Sequence, residues 1–223
     1  MNTNYDTGKA VSLSSFETLS TPVLSDAMDE LGIACTIPGL TAQRFHQPTV
    51  AGFAMTAKFV VAERDESAYR FGGGVGRPLE KVLQEMARGD MVVMDLGGTQ
   101  TASSWGGLAS RLASMKGVKG TVVNGTCRDV AEIRGIGYPV WAVGAFPRRS
   151  RNEFAFGSMR QEVVIGGVVI SPGDVVVADA SGVVCVPRGR AGEVLKLAMQ
   201  IQETEWELLS QIERGDVVNW DQV

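Results

Sequence analysis

Histidine is almost missing from this 223-residue chain: His46 is the only one. A Ser–His–Asp triad needs an imidazole to take the proton of its nucleophile, so that chemistry is not expected. Cysteine is scarce too. Cys35, Cys127 and Cys185 are odd in number, widely spaced and free of any CxxC pair, which speaks against a zinc site and against a disulfide framework. A nucleophilic Cys127 would want a basic partner, and His46 is remote in sequence, so Cys127 reads as a small packed residue. Aromatic residues make up only 7%, too few for a surface that stacks bases. Positive charge is not in excess: 21 Lys and Arg face 25 Asp and Glu, for a net charge of −4. A polyanion partner needs a basic face, so no nucleic acid is expected. No apolar run nears the roughly 20 residues of a membrane span, and the opening MNTNYDTGKAVSLSSF has no apolar signal core. The expectation is a cytoplasmic protein with no membrane contact.

What the chain has is apolar content, 44%, enough for one sizeable core. No repeat, low-complexity run or linker divides it, so residues 1–223 read as a single domain, with the polar segment 1–12 flexible. Everything is organised around the stretch from Asp95 to Ala145. Two short apolar runs, Met91–Asp95 and Gly120–Asn124, end in polar turns, and Trp105–Met115 between them has helical spacing. After Gly125–Asp129 a second short helix leads into Pro139–Val143. That alternation predicts an α/β fold with a parallel sheet and crossover helices. Ligands in such sheets sit outside the carboxyl ends of strands, and Arg128 and Asp129 fall at one such end.

The flanks are simpler. Residues 14–31 read as helical with a break near Pro22, Thr21 as its N-cap and Gly32 closing it. Asp26, Asp29 and Glu30 read as a solvated face. Val50–Ala62 is strand-like and Pro78–Ala87 helical. Gly72–Gly76 lacks the GK[ST] ending of a phosphate loop and is read as a mobile loop; whether 63–88 forms a lid stays open. Phe146–Arg160 is irregular and basic, with Arg148, Arg149, Arg151 and Arg160 available to an anionic substrate, a neighbouring subunit or solvent. Glu162–Ile170, Asp174–Asp179 and Gly182–Pro187 read as strands joined by glycine turns, which predicts a layered fold. Arg190–Arg214 is a long helix with Leu195, Met199, Gln202, Trp206 and Leu209 on one stripe. It is expected to pack on the body or on another subunit.

Arg128 and Asp129 admit two readings. In one, Asp129 is an N-cap, Glu132 an acid in the first helical turn, and Arg128 a surface ion pair. In the other, Asp129 is a hard oxygen ligand suited to Mg²⁺ or Mn²⁺, which need not be caged by protein. Arg128 then offers a planar donor fork to a carboxylate or enolate oxygen. Trp105–Ala109 opens the preceding helix, whose free amides make an anion seat. That combination suits a small 2-keto acid on which negative charge develops.

Gly107, then twenty residues, then Arg128-Asp129 followed by Glu132 resembles the signature of the 4-hydroxy-4-methyl-2-oxoglutarate aldolase family, which also includes the regulator of ribonuclease activity A. Thr21–Gly32, Gly120–Asp129, Gly137–Ala142 and Pro172–Pro187 extend the likeness over most of the chain. The resemblance implies a single α/β/α layered domain with a swivelling β/β/α core. It also implies a homotrimer or hexamer with sites between subunits and the 190–214 helix at the interface. Backbone amides of Gly106, Gly107, Leu108 and Ala109 would hold the substrate. Arg128 would bind the keto acid and stabilise its enolate, and Asp129 would ligate the divalent cation.

The implied activity is that of a metal-dependent (class II) pyruvate aldolase, a carbon–carbon lyase. It would cleave 4-hydroxy-4-methyl-2-oxoglutarate or a similar 4-hydroxy-2-keto acid to pyruvate and a second carbonyl compound. Oxaloacetate decarboxylation passes through the same enolate, so one site can serve both. Many members carry Asp or Glu at the position of Gly107. The proton-handling candidates here are therefore a metal-bound water, Glu132, Asp95, or Glu203 or Glu205 of a neighbouring subunit. The Arg148–Arg151 cluster suits a second substrate carboxylate. The competing implication is a non-catalytic regulator that binds a ribonuclease or helicase. A pure binder has no need of the metal carboxylate, so losing Asp129 separates the two. Methyl transfer to a menaquinone precursor is disfavoured, because no strand–GxGxG–helix seat for the methyl donor is present.

Overall fold

The computed structural model describes residues 12–62, 78–150 and 153–218. The Gly72–Gly76 loop, most of the 63–88 segment, Arg151 and residues 1–11 lie outside the described residues. The elements in chain order are α1 (Leu13–Phe16), α2 (Thr21–Glu30), β1 (Thr41–Ala42), β2 (Val50–Val61), α3 (Pro78–Glu85) and β3 (Asp90–Trp105). There follow α4 (Gly107–Lys116), β4 (Gly120–Cys127), α5 (Val130–Ile136), β5 (Val140–Ala145), β6 (Phe154–Met159), β7 (Val163–Ile165) and β8 (Val168–Ile170). The chain closes with β9 (Val175–Ala178), β10 (Val183–Val186) and α6 (Ala191–Arg214).

One mixed sheet runs β1-β5-β4-β3-β2-β9-β10, with β6 also paired to β2. Its centre, β2 to β5, is parallel. The expected β–α–β–α–β unit is β3-α4-β4-α5-β5. Alternation sorts the strand residues to two faces. Met55, Ala57, Val92, Met94 and Val123 pack with Ala109, Ala113 and Ile133 of α4 and α5. Ala51, Val175 and Val177 pack with α2 and α6. The opposite set, Ala54, Met91, Val93, Val122 and Trp141, meets Ile165 and Ile170 of the β7–β8 hairpin. The result is a helical layer, the large curled sheet and a small second sheet, the β/β/α arrangement that the resemblance implies. Among the described residues no helix is long and apolar enough to cross a membrane.

Four local expectations change. Ser20, not Thr21, caps α2: its Oγ accepts from Val23 N at 3.3 Å. Thr21 instead donates its amide and hydroxyl to Asp179 at 2.8 and 2.7 Å, tying α2 to the β9–β10 turn. The 162–170 strand is a hairpin, folded at Gly166-Gly167 with φ of +59° and +86°. The irregular 146–160 segment contains β6, antiparallel to β2.

The largest change is β3, which does not stop at Asp95 but runs to Trp105. Asp95 lies opposite Asn124 and Trp105 opposite Cys127, so ten residues of β3 advance against three of β4. The surplus forms a bulged excursion that turns at Gly97 and Gly98, both at positive φ. The Asp95 carboxylate braces it, accepting from Gly97 N at 3.0 Å and Asn124 Nδ2 at 2.8 Å.

Candidate active site

The site grows from the carboxyl ends of β3 and β4, where two helices start side by side. The backbone joins them: Arg128 N donates to Trp105 O at 2.9 Å. Beneath, Trp105 is buried, stacks on Tyr138 at 6.3 Å and donates Nε1–H to Ser110 Oγ at 2.9 Å. This apolar floor holds the ends of both strands in place.

Asp129 is the unusual residue. Its φ and ψ are +57° and +39°, the left-handed region that few non-glycine residues enter. It precedes α5 in the N-cap place, yet its side chain makes no cap to α5, so the simple N-cap reading does not hold. Turned by that backbone, the carboxylate reaches the neighbouring helix instead. Oδ2 accepts from Gly107 N, the first residue of α4, at 3.2 Å. Oδ1 accepts from Arg128 Nε at 3.2 Å. Both side chains remain more than a third exposed, so the pair adds little to stability and stays open to a ligand.

Two glycines make room for this convergence. A Cβ on Gly106 would lie 2.7 Å from Asp129 Oδ2 and 3.0 Å from Arg128 Cγ. A Cβ on Gly107 would collide with the Glu132 carboxylate, which reaches over from α5. Thus Asp129 and Glu132, three residues apart on one helix start, both lean on the first turn of α4. The first backbone bond there runs from Ser110 N to Gly106 O. The amides of Leu108 and Ala109 therefore precede the helical ladder and are the free donors of an anion seat.

The structure brings together Gly106, Gly107, Leu108, Ala109, Arg128, Asp129 and Glu132. It takes Asp95 elsewhere, into the β3 bulge. Glu203 and Glu205 lie exposed on α6, whose intrachain packing is against α2. Cys127 is fully buried and its thiol is pushed up to about 11, chiefly by burial; no thiolate forms near neutrality. Among the described residues no three His, Cys, Asp or Glu side chains group as a metal cage. Two adjacent carboxylates with open faces nonetheless fit Mg²⁺ or Mn²⁺, which keep several waters.

The basic segment that the sequence offers to an anionic substrate returns to these strand ends. After β5 the chain crosses the carboxyl ends of β4 and β3: Phe146 N donates to Cys127 O at 2.9 Å, and Ser103 N to Arg148 O at 2.8 Å. The 146–150 segment thus borders the site.

Comparison with known proteins bears on the fold and the family. The family described as RraA-like, Aldolase/RraA, matches residues 21–185. A putative 4-hydroxy-4-methyl-2-oxoglutarate aldolase of Halalkalibacterium halodurans is 30% identical over 85% of this chain and 83% of its own length. Protein DlpA of Legionella pneumophila is 29% identical over 87% of this chain, which spans only 30% of that protein. The crystal structure of Streptomyces coelicolor RraAS2, described as an unusual member of the RNase ES inhibitor RraA protein family, superposes with a TM-score of 0.77. It is 30% identical, and the match covers 93% of this chain and 98% of that one.

Proposed function

The chain belongs to the RraA-like family, which includes aldolases and regulators of RNases, and from that premise we propose that it is a divalent-metal-dependent pyruvate aldolase. It cleaves a 4-hydroxy-2-keto acid by retro-aldol reaction to pyruvate and a second carbonyl compound, and decarboxylates oxaloacetate at the same site. The observation that carries this reading is the convergence of one guanidinium, two carboxylates and two free helix amides on the first turn of α4. A protein that only binds another protein has no use for so dense a polar constellation beside a strained Asp129.

Arg128 holds the keto acid and meets the oxygen on which charge builds as the carbon–carbon bond breaks. The Leu108 and Ala109 amides hold the substrate carboxylate. Asp129 and Glu132 would hold the cation, Mg²⁺ or Mn²⁺, which when bound supplies Lewis-acid polarisation of the keto group. Glu132, exposed and unpaired among the described residues, also moves a proton at the substrate hydroxyl. The test is pyruvate release from 4-hydroxy-4-methyl-2-oxoglutarate and from oxaloacetate, coupled to lactate dehydrogenase, with Mg²⁺ and then with EDTA. Turnover that EDTA abolishes supports the reading; no turnover of either by folded, Mg²⁺-loaded protein shifts it to the regulator.

Glu132 and Gly107 are expected to act as a unit. Gly107→Ala forces the Glu132 carboxylate aside, while alanine at that helical position stabilises by up to about 1 kcal/mol. Gly107→Ala and Glu132→Ala should each lower kcat/KM by about 10- to 100-fold. The double variant should be no worse than the poorer single one. Multiplying losses in steady-state kinetics would separate them.

The assembly proposed is a homotrimer or a hexamer. Along α6, Met199, Trp206, Leu209 and Ile212 face solvent, Trp206 being 60% exposed. The same helix carries Glu203, Glu205, Glu207 and Glu213, whereas α4 exposes Leu108, Leu112 and Met115 beside Arg111. Two apolar faces of opposite charge on one chain suit head-to-tail closure. Trp206→Glu with Leu209→Glu should weaken association by about 100-fold or more, since buried aromatic anchors dominate interfaces. Sedimentation velocity would show monomers; an unchanged oligomer would remove α6 from the interface.

A further inference from the structure

Four arginines line the segment after β5, and the structure separates their duties. Arg148 is committed: its guanidinium pairs with Glu153 and donates to Thr101 O at 3.4 Å. Arg160 reaches Glu85 O at 3.4 Å, at the end of α3. Arg151 lies outside the described residues. Arg149 is different. Its backbone is fixed, paired with Ser103 in a parallel bridge. The flanking groups make that bridge, Ser103 N to Arg148 O at 2.8 Å and Ser150 N to Ser103 O at 3.1 Å. Its side chain is exposed and has no partner among the described residues. A fixed backbone carrying an idle guanidinium is a poor stability device and a good receptor.

Its position gives the receptor a purpose. The segment passes over Cys127 and then runs along β3 at Ser103, so it spans the two strand ends from which Arg128 and Gly106 emerge. Ser103 precedes Gly106 by three residues, roughly 10 Å of extended chain. An arginine side chain on the neighbouring segment and a small diacid together cover that span. Strand alternation sets the Arg149 side chain on the Ser103 face of this pairing and leaves the hydrogen-bonded Ser104–Ser150 hydroxyls, 2.6 Å apart, on the other.

We propose that Arg149 receives the second carboxylate of a dicarboxylic keto-acid substrate and so sets the preference for diacids over monoacids. The proposal rests on the aldolase reading of the site. Arg128 takes the reacting end of the molecule and Arg149 the distal end. The planar fork suits a carboxylate bidentately, and a lysine keeps only the charge.

The test compares a diacid, 4-hydroxy-4-methyl-2-oxoglutarate, with a monoacid, 4-hydroxy-2-oxopentanoate, in wild type, Arg149→Ala, Arg149→Lys and Arg148→Ala. Arg149→Ala should raise KM for the diacid by about 10- to 100-fold, as loss of a charge-assisted pair does. It should leave kcat/KM for the monoacid unchanged. Arg149→Lys should recover part of the loss, and Arg148→Ala should not reproduce the selectivity change. Equal losses on both substrates, or none on the diacid, overturn the assignment while leaving the aldolase reading intact. If the wild type turns over neither substrate, calorimetry with 2-oxoglutarate and pyruvate in Mg²⁺ buffer decides. A diacid preference that Arg149→Ala removes upholds the subsite without the reaction, and its absence in the wild type overturns both.

Discussion

Asp129→Asn is expected to lower kcat for pyruvate release by about 10³-fold or more, the scale on which losing a group aimed at developing charge acts. The amide retains the shape of the carboxylate and an oxygen for Gly107 N, now 3.2 Å from Asp129 Oδ2. It also tolerates the left-handed backbone at φ +57°. Fold and assembly should therefore persist, with Tm shifted by no more than about 4 °C if the loss stays near 1 kcal/mol. What disappears is the charge that a divalent cation and the Arg128 guanidinium both require. Asp129→Ala is the less clean variant, because alanine in that backbone region adds about 1–2 kcal/mol of strain. Coupled pyruvate assays with and without EDTA, alongside thermal denaturation, decide the matter. Full turnover in a folded Asp129→Asn protein would remove this carboxylate from the chemistry. Loss of turnover with intact partner capture would instead locate the family's regulatory property on another surface.

Gly106→Ala should cost about 100-fold in kcat/KM, the penalty for misplacing reacting groups by about 1 Å. Gly106 sits at φ −168°, extended backbone open to any residue, so alanine introduces no backbone strain. It introduces a methyl group 2.7 Å from Asp129 Oδ2 and 3.0 Å from Arg128 Cγ. Something must yield, and the backbone there is held by the 2.9 Å bond between Arg128 N and Trp105 O. The two side chains therefore move, and they move together. Because both are partly exposed, the thermal midpoint should change little while both substrate affinity and turnover fall. A Gly106→Ala enzyme with wild-type kinetics would mean that the convergence of Arg128 and Asp129 on α4 is not needed.

Much of this molecule was legible before any coordinates. The β3-α4-β4-α5-β5 order follows from short apolar runs alternating with helical spacing, because parallel strands buried on both faces must read that way. The buried, inert Cys127 follows from the missing histidine. The Gly107, Arg128-Asp129 and Glu132 spacing was visible as well, although its meaning was open between a capped surface helix and a site. The β3 bulge was not legible. Thr99, Gln100 and Thr101 look like a loop, and only pairing with β4 at one end and with the 146–150 segment on the other edge makes that stretch a strand. The outward turn of α6 was hidden for a related reason. An apolar stripe announces burial but not whether the same chain provides the cover.

The sequence by itself set the expectation of chemistry without imidazole, thiol or polyanion, and it determined a parallel α/β core with acidic and guanidinium groups at a strand end. These rest on composition and local periodicity, which need no knowledge of distant contacts. Only the tertiary structure decided that Asp129 serves α4 and not its own helix, that Gly106 and Gly107 are spaces filled by Asp129 and Glu132, and that Arg148 is paired while Arg149 has no partner among the described residues. The first two depend on segments more than twenty residues apart arriving within a few ångströms of each other. That proximity is set by the register of β3 against β4 and by the left-handed turn at Asp129, and neither leaves a local mark in the chain.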